Sequence, residues 1–181
     1  MKGPRADPKA VGDSSRGIAA FRARFRRSGA VGPLVLALGL AAALLLVLTE
    51  VTTLFSIDVD TASCSDLADP DLADRCDTTG GDQHSFALVP LAFLVGVMAV
   101  GAGLGGSRPA GIALIAAGAI VLVITLAFDL PDTTQTGEIG STFASAEAVK
   151  GPAFWFELVA GVLAVAAGVL RLRSPQVTRA T

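Results

Sequence analysis

Three acidic side chains stand out because of where they sit. Glu50, Asp129 and Glu157 lie at the ends of, or inside, long apolar runs that otherwise carry no charge. An ionisable group within a membrane span is costly, and it usually faces the bundle interior or a water-filled cavity. Two carboxylates in one poorly solvated site would hold a single proton between them. The chemistry open to Glu50 and Glu157 is therefore binding of a proton, a cation or a polar ligand. The alternative is interfacial: each acid hydrogen-bonds to nearby threonines (Thr49, Thr52, Thr53), loop backbone or water. Counting by helical period from Glu157 gives Ala160, Gly161, Ala164 and Gly168. Counting back from Glu50 gives Leu46, Ala43, Gly39 and Gly32. Small residues on one helix face permit close helix approach, so both acids are expected on packing faces at similar depth, with Asp129 at the same level.

The second candidate group is the cysteine pair, Cys64 and Cys76. A lone pair in one loop on an oxidising side of a membrane is expected to form a bridge. Closing a loop of this size contributes about 3 kcal/mol by chain entropy. Redox catalysis is not expected, because the pair lacks C-x-x-C spacing. The same loop holds Asp58, Asp60, Asp66, Asp69, Asp71, Asp74, Asp77 and Asp82. Their spacing does not match an EF-hand, which needs a turn glycine and a terminal bidentate Glu. A solvated acidic loop is the expectation. His84, the single histidine, has no second His or Cys at ligand spacing, so no metal site is expected. No phosphate loop or Ser-His-Asp set is present. Neither enzymatic activity nor a cofactor is expected.

The elements that position these residues are membrane spans. Hydrophobic residues make up 52% of the 181-residue chain and charged residues 17%, against about a quarter charged in a soluble domain. The apolar residues fall into four blocks, 29–55, 86–106, 110–128 and 153–170, the last containing Glu157. A span needs about 20 mostly apolar residues, and backbone in lipid must satisfy its own hydrogen bonds, so each block is expected to be helical. The expected fold is all-α: an integral membrane four-helix bundle with short outer loops. The organisation is a basic N-terminal segment (1–28), a four-span domain (29–172) and a tail (173–181). The first block is read as a retained anchor, since its apolar run exceeds a signal peptide's and no A-x-A site follows.

Charge sets the expected orientation. Lys2, Arg5, Lys9, Arg16, Arg22, Arg24, Arg26 and Arg27 precede the first span. Arg108 lies in the GGSRP link, and Arg171, Arg173 and Arg179 lie in or near the tail. Segments 57–85 and 129–152 hold one basic residue each. The basic side is expected to be cytoplasmic, which puts both termini on the cytoplasmic side of a plasma membrane. Phe55, Phe86, Phe128, Phe154, Trp155 and Phe156 fall at the outer ends, where an interfacial belt belongs. In 17–27, Ile18, Phe21 and Phe25 share one helical side with Arg22 and Arg24 flanking, a pattern that suits an interfacial helix. From the Ala-, Val- and Arg-rich usage, a high-GC bacterial source is the expectation.

The leading functional expectation is a structural or accessory membrane protein. Its partners would be the lipid bilayer and a membrane protein or a second copy of itself, not nucleic acid. The competing one is an ion- or ligand-binding transport protein using Glu50 and Glu157. A continuous polar path past the acids favours transport, and a tightly packed bundle favours the accessory role.

Overall fold

The computed structural model describes residues 30–59, 62–63, 76–132, 136 and 146–174. The segment 17–27, Cys64, and Asp60, Asp66, Asp69, Asp71 and Asp74 of the acidic loop lie outside the described residues.

The chain is mostly helical. Helix α1 spans Val31–Val51 and is followed by β1 (Thr53–Val59), β2 (Ala62–Ser63) and β3 (Asp77–Thr79). A short helix α2 (Gly80–His84) leads to α3 (Leu88–Gly103) and α4 (Arg108–Ile124). Helix α4 continues through a π-helical turn, Thr125–Asp129, and a last turn, Leu130–Asp132. Strand β4 (Ala146–Lys150) then precedes α5 (Pro152–Arg173). Among the described residues, three helices are long and apolar enough to cross a membrane: Val31–Val51, Arg108–Asp129 and Pro152–Arg173. Helix α3 is apolar but shorter, with 16 residues.

Sequence expectation and structure part at two places. The first helix was expected to reach Phe55, but it stops at Val51, and Thr53–Val59 is a strand. The all-α expectation is therefore corrected: the segments after α1 and before the last helix contribute a four-stranded sheet in which β1 pairs antiparallel with each of the other strands. Thr53, Ile57 and Val59 are β-branched and favour extended backbone. Leu54 and Ile57 are both buried although three apart, because the β1–β3 register slips between Thr53 and Phe55, as a bulge does. Helix α3 also starts and ends inside the expected 86–106. Ser85 and Phe86 take left-handed φ values of 51° and 60°, and Gly106 one of 66°, so helical geometry cannot run through them.

The helices pack inside-out relative to a soluble protein. Their contacts are made by small residues: Gly39 of α1 lies on Ala99 of α3, and Gly118 of α4 lies on Gly161 of α5. A Cβ added at Gly118 would stand 2.7 Å from the Gly161 carbonyl oxygen. Large apolar side chains point away from the core instead, among them Leu44, Phe93, Ile112, Ile120, Val123 and Val162. A soluble monomer rarely exposes so continuous an apolar surface, whereas lipid demands one. The shared core contains Val35, Ala42, Leu46, Val95, Leu114, Val121, Ala160 and Ala164. A second, smaller core of Leu54, Ala153 and Phe154 lies by the sheet. Phe86, Phe128 and Trp155 are exposed, as a belt requires, but Phe154 is buried. At the far end, Ser107 caps α4 by accepting from the Ala110 N–H, and the Arg171 guanidinium donates to the Gly106 carbonyl.

Candidate functional site

Glu50 is in the last turn of α1, Asp129 ends the π-helical turn after α4, and Glu157 is in the second turn of α5. All three acids are buried, with Glu157 and Asp129 at 0% exposure. Of the expected faces, Ala160, Gly161, Ala164 and Gly168 are buried beneath Glu157, and Gly32, Gly39 and Leu46 are buried along α1, while Ala43 is only half-buried and Ala42 takes the buried position. Glu50 and Asp129 are both electrostatic neighbours of Glu157, so the three acids occupy one region at the sheet end of the helices.

Sequence reasoning did not place His84 there. His84 Nε2 lies 3.7 Å from Asp129 Oδ1 and 3.9 Å from Glu157 Oε2. Among the described residues, His84, Asp129 and Glu157 form a group whose potential ligand atoms all lie within 4.8 Å of one another. The His84 side chain is 11% exposed, while those of Asp129 and Glu157 are sealed.

Local structure delivers each side chain. Gly80 and Gly81 let α2 lie directly on the end of α1, because a Cβ on either would strike a backbone carbonyl, of Thr49 or of Glu50. Thr79 and Asp82 form a reciprocal capping box that starts α2, each satisfying a backbone donor. The hydroxyl and N–H of Thr79 hold the Asp82 carboxyl below its ordinary range. The left-handed pair Ser85–Phe86 then turns the chain sharply after His84 and into α3. Such backbone is uncommon for non-glycine residues. The π-helical turn widens α4 by one residue just before Asp129, a feature found frequently at functional sites.

Two of the threonines expected beside the acids bond within their own helix, while Thr125 stands beside Glu157. Thr49 Oγ1 donates to Leu45 O and Thr52 Oγ1 to Leu48 O, both within α1. Thr125 Oγ1 donates to Val121 O. Glu50 has a clear partner: its Oε1 accepts the Leu88 backbone N–H at 2.7 Å. Helix α3 has no side-chain cap of its own, so Glu50 supplies an acceptor to one of the open N–H groups at its start. Glu50 Oε2 and both Glu157 oxygens are buried without a hydrogen bond.

Of the cysteines, Cys76 is fully buried, its carbonyl accepts the Ile57 N–H at 3.0 Å, and no described cysteine is a free thiol.

No protein family, curated protein or solved structure matches this chain.

Proposed function

We propose that this chain is a small membrane protein of structural or accessory type. It crosses the bilayer four times and holds a cation in the buried cluster of Glu50, His84, Asp129 and Glu157. The observation that carries this reading is the convergence of four ionisable side chains from α1, α2, α4 and α5 on one buried place. Buried carboxylates are stable when paired or bound to a cation.

The choice of accessory role over transport rests on what lies beyond the cluster. The helix core continuing away from the sheet is built of Ala42, Leu46, Val95, Leu114, Val121, Ala160 and Ala164. Among the described residues, the buried polar side chains other than the acids are Thr49 and Thr125, and the core beyond them offers a cation no polar side chain. The fourth span in this reading is α3, about 24 Å long at 1.5 Å per residue, with the bilayer thinning or the flanking residues making up the difference. The sheet end faces outward, by the basic bias of the other side. A Cys64–Cys76 bridge, favoured by the burial of Cys76, ties the acidic loop to the sheet.

Thermal unfolding of the full chain in detergent tests the reading. A cation or a change of pH should shift the midpoint, and Glu157→Gln should reduce the shift while leaving helical circular dichroism intact. A midpoint indifferent to pH and to every cation would remove the cation-binding part of the proposal.

A further inference from the structure

We propose that the cation is a divalent transition-metal ion, of the zinc, manganous or ferrous class, held by His84, Asp129 and Glu157. This rests on the cation-binding reading above and goes beyond it by naming the ligand set and the class of ion.

The donor set selects the class. Calcium and magnesium prefer sites built wholly of oxygen, and alkali ions prefer carbonyl and hydroxyl oxygens. An imidazole nitrogen beside carboxylates suits zinc and its neighbours. Transition-metal ligands stand about 2.0–2.2 Å from the ion, so donors on one ion are separated by at most about 4.4 Å. The His84 Nε2 separations of 3.7 and 3.9 Å fall inside that limit. The outer bound of 4.8 Å for the whole set needs a closure of only a few tenths of an ångström.

Independent observations point to a ligand. Glu157 is 0% exposed, its oxygens make no hydrogen bond of good geometry, and Asp129, Thr125 and His84 stand beside them. His84 Nε2 is buried, faces both acids and makes no hydrogen bond. Asp129, Glu157 and the nearby Glu50, when ionised, bring more negative charge than the one imidazole among the described residues offsets. A divalent ion offsets that charge and gives the Glu157 oxygens a partner. Two local departures from regular backbone, the left-handed pair after His84 and the π-helical turn ending in Asp129, bring side chains to the same place. Glu50 stands outside the ligand set. Its Oε1 is committed to the Leu88 N–H, and its charge raises the attraction of the site for a dication. The partly exposed edge of His84 is the route by which an ion reaches the buried carboxylates.

The test uses the full chain in detergent, stripped with a chelator and titrated separately with zinc, manganous, calcium and magnesium ions. Bound metal is read by elemental analysis and stability by thermal unfolding. The expected result is one zinc or manganous ion per chain, a higher unfolding midpoint, and an affinity at least about tenfold above that for calcium or magnesium. His84→Ala, at the least buried ligand, should fold and lose at least about tenfold in affinity. X-ray absorption of the zinc form should show nitrogen and oxygen neighbours without sulfur. Stoichiometric binding unchanged by His84→Ala, or sulfur in the coordination shell, would overturn the ligand assignment. Stabilisation by protons, alkali ions or calcium alone would overturn the metal class and leave the cation-binding reading standing. Stabilisation by nothing would end both.

Discussion

At the scale of single residues, Glu50 and Asp82 are structural acids with separable effects. Glu50 accepts a buried N–H from Leu88, and a hydrogen bond to a charged acceptor contributes about 1.5–3 kcal/mol. Glu50→Ala should therefore lower the stability of the metal-free chain by that order. Glu50→Gln keeps an acceptor at the same reach, and thermal unfolding should place it much closer to wild type. Asp82 acts at the start of α2. Its carboxyl is stabilised in charged form by Thr79 and so titrates below the ordinary value of 3.8. Because the folded value is the lower one, this contribution is complete above the ordinary value and is lost as pH falls through the depressed one. Hydrogen exchange across Gly80–His84 should quicken in that acidic window. Thr79→Ala should quicken it at neutral pH, at a cost of about 1 kcal/mol for the lost cap. The acids of the cluster were legible in the sequence because charge inside an apolar run is conspicuous. His84 was not, because nothing in residue spacing records that Ser85 and Phe86 take left-handed backbone. Ligand spacing along the chain says little when the ligands come from separate elements.

At the scale of elements, the π-helical turn has a specific consequence. Thr125–Asp129 holds one residue more than an α-helical turn would. Deleting Ala127 should restore regular α-helix, and because four α-helical residues turn through about the same angle as five π-helical ones, Asp129 should keep facing His84 and Glu157. Helical circular dichroism and cation-dependent stabilisation should both be preserved. A deletion variant that loses the stabilisation would show that the widened turn itself is needed to place Asp129. The small-residue contacts make a different demand. Gly161 faces the Gly118 carbonyl at 3.2 Å from its Cβ direction and Leu122 more closely still, so Gly161→Leu should separate α4 from α5 and destabilise the chain strongly, beyond the 1–3 kcal/mol typical of overpacking. These helix faces were legible, since the period from Glu157 picked out the residues that are buried. The sheet was not. The segment Thr53–Val59 continues an apolar run without a break, and short apolar runs do not distinguish helix from strand by periodicity. Pairing with β4, nearly a hundred residues along the chain, decides the matter.

At the scale of the whole molecule, polar and apolar parts are segregated along the helix axes. The ionisable cluster and the sheet lie at one end. The core between them and the Arg171–Gly106 link at the other end is apolar and close-packed. Leu46, Val95, Leu114 and Val121 are each at 1% exposure or less, and glycine and alanine bring the helix backbones close together. A cation leaving the cluster in that direction would shed its ligands with no replacement, at a cost of several kcal/mol for every ion carried through. The chain reconstituted alone into liposomes should therefore bind its cation without passing it. With a metal-sensitive dye trapped inside, added zinc or manganous ions should give no signal above that of protein-free liposomes, while the same preparation retains metal after washing. Dye response that depends on Glu157 would show that the apolar core opens, and would replace the accessory reading with transport. Retention without flux is what the packing predicts, because the ligands that make the cluster a good place to hold an ion have no counterpart further along the core.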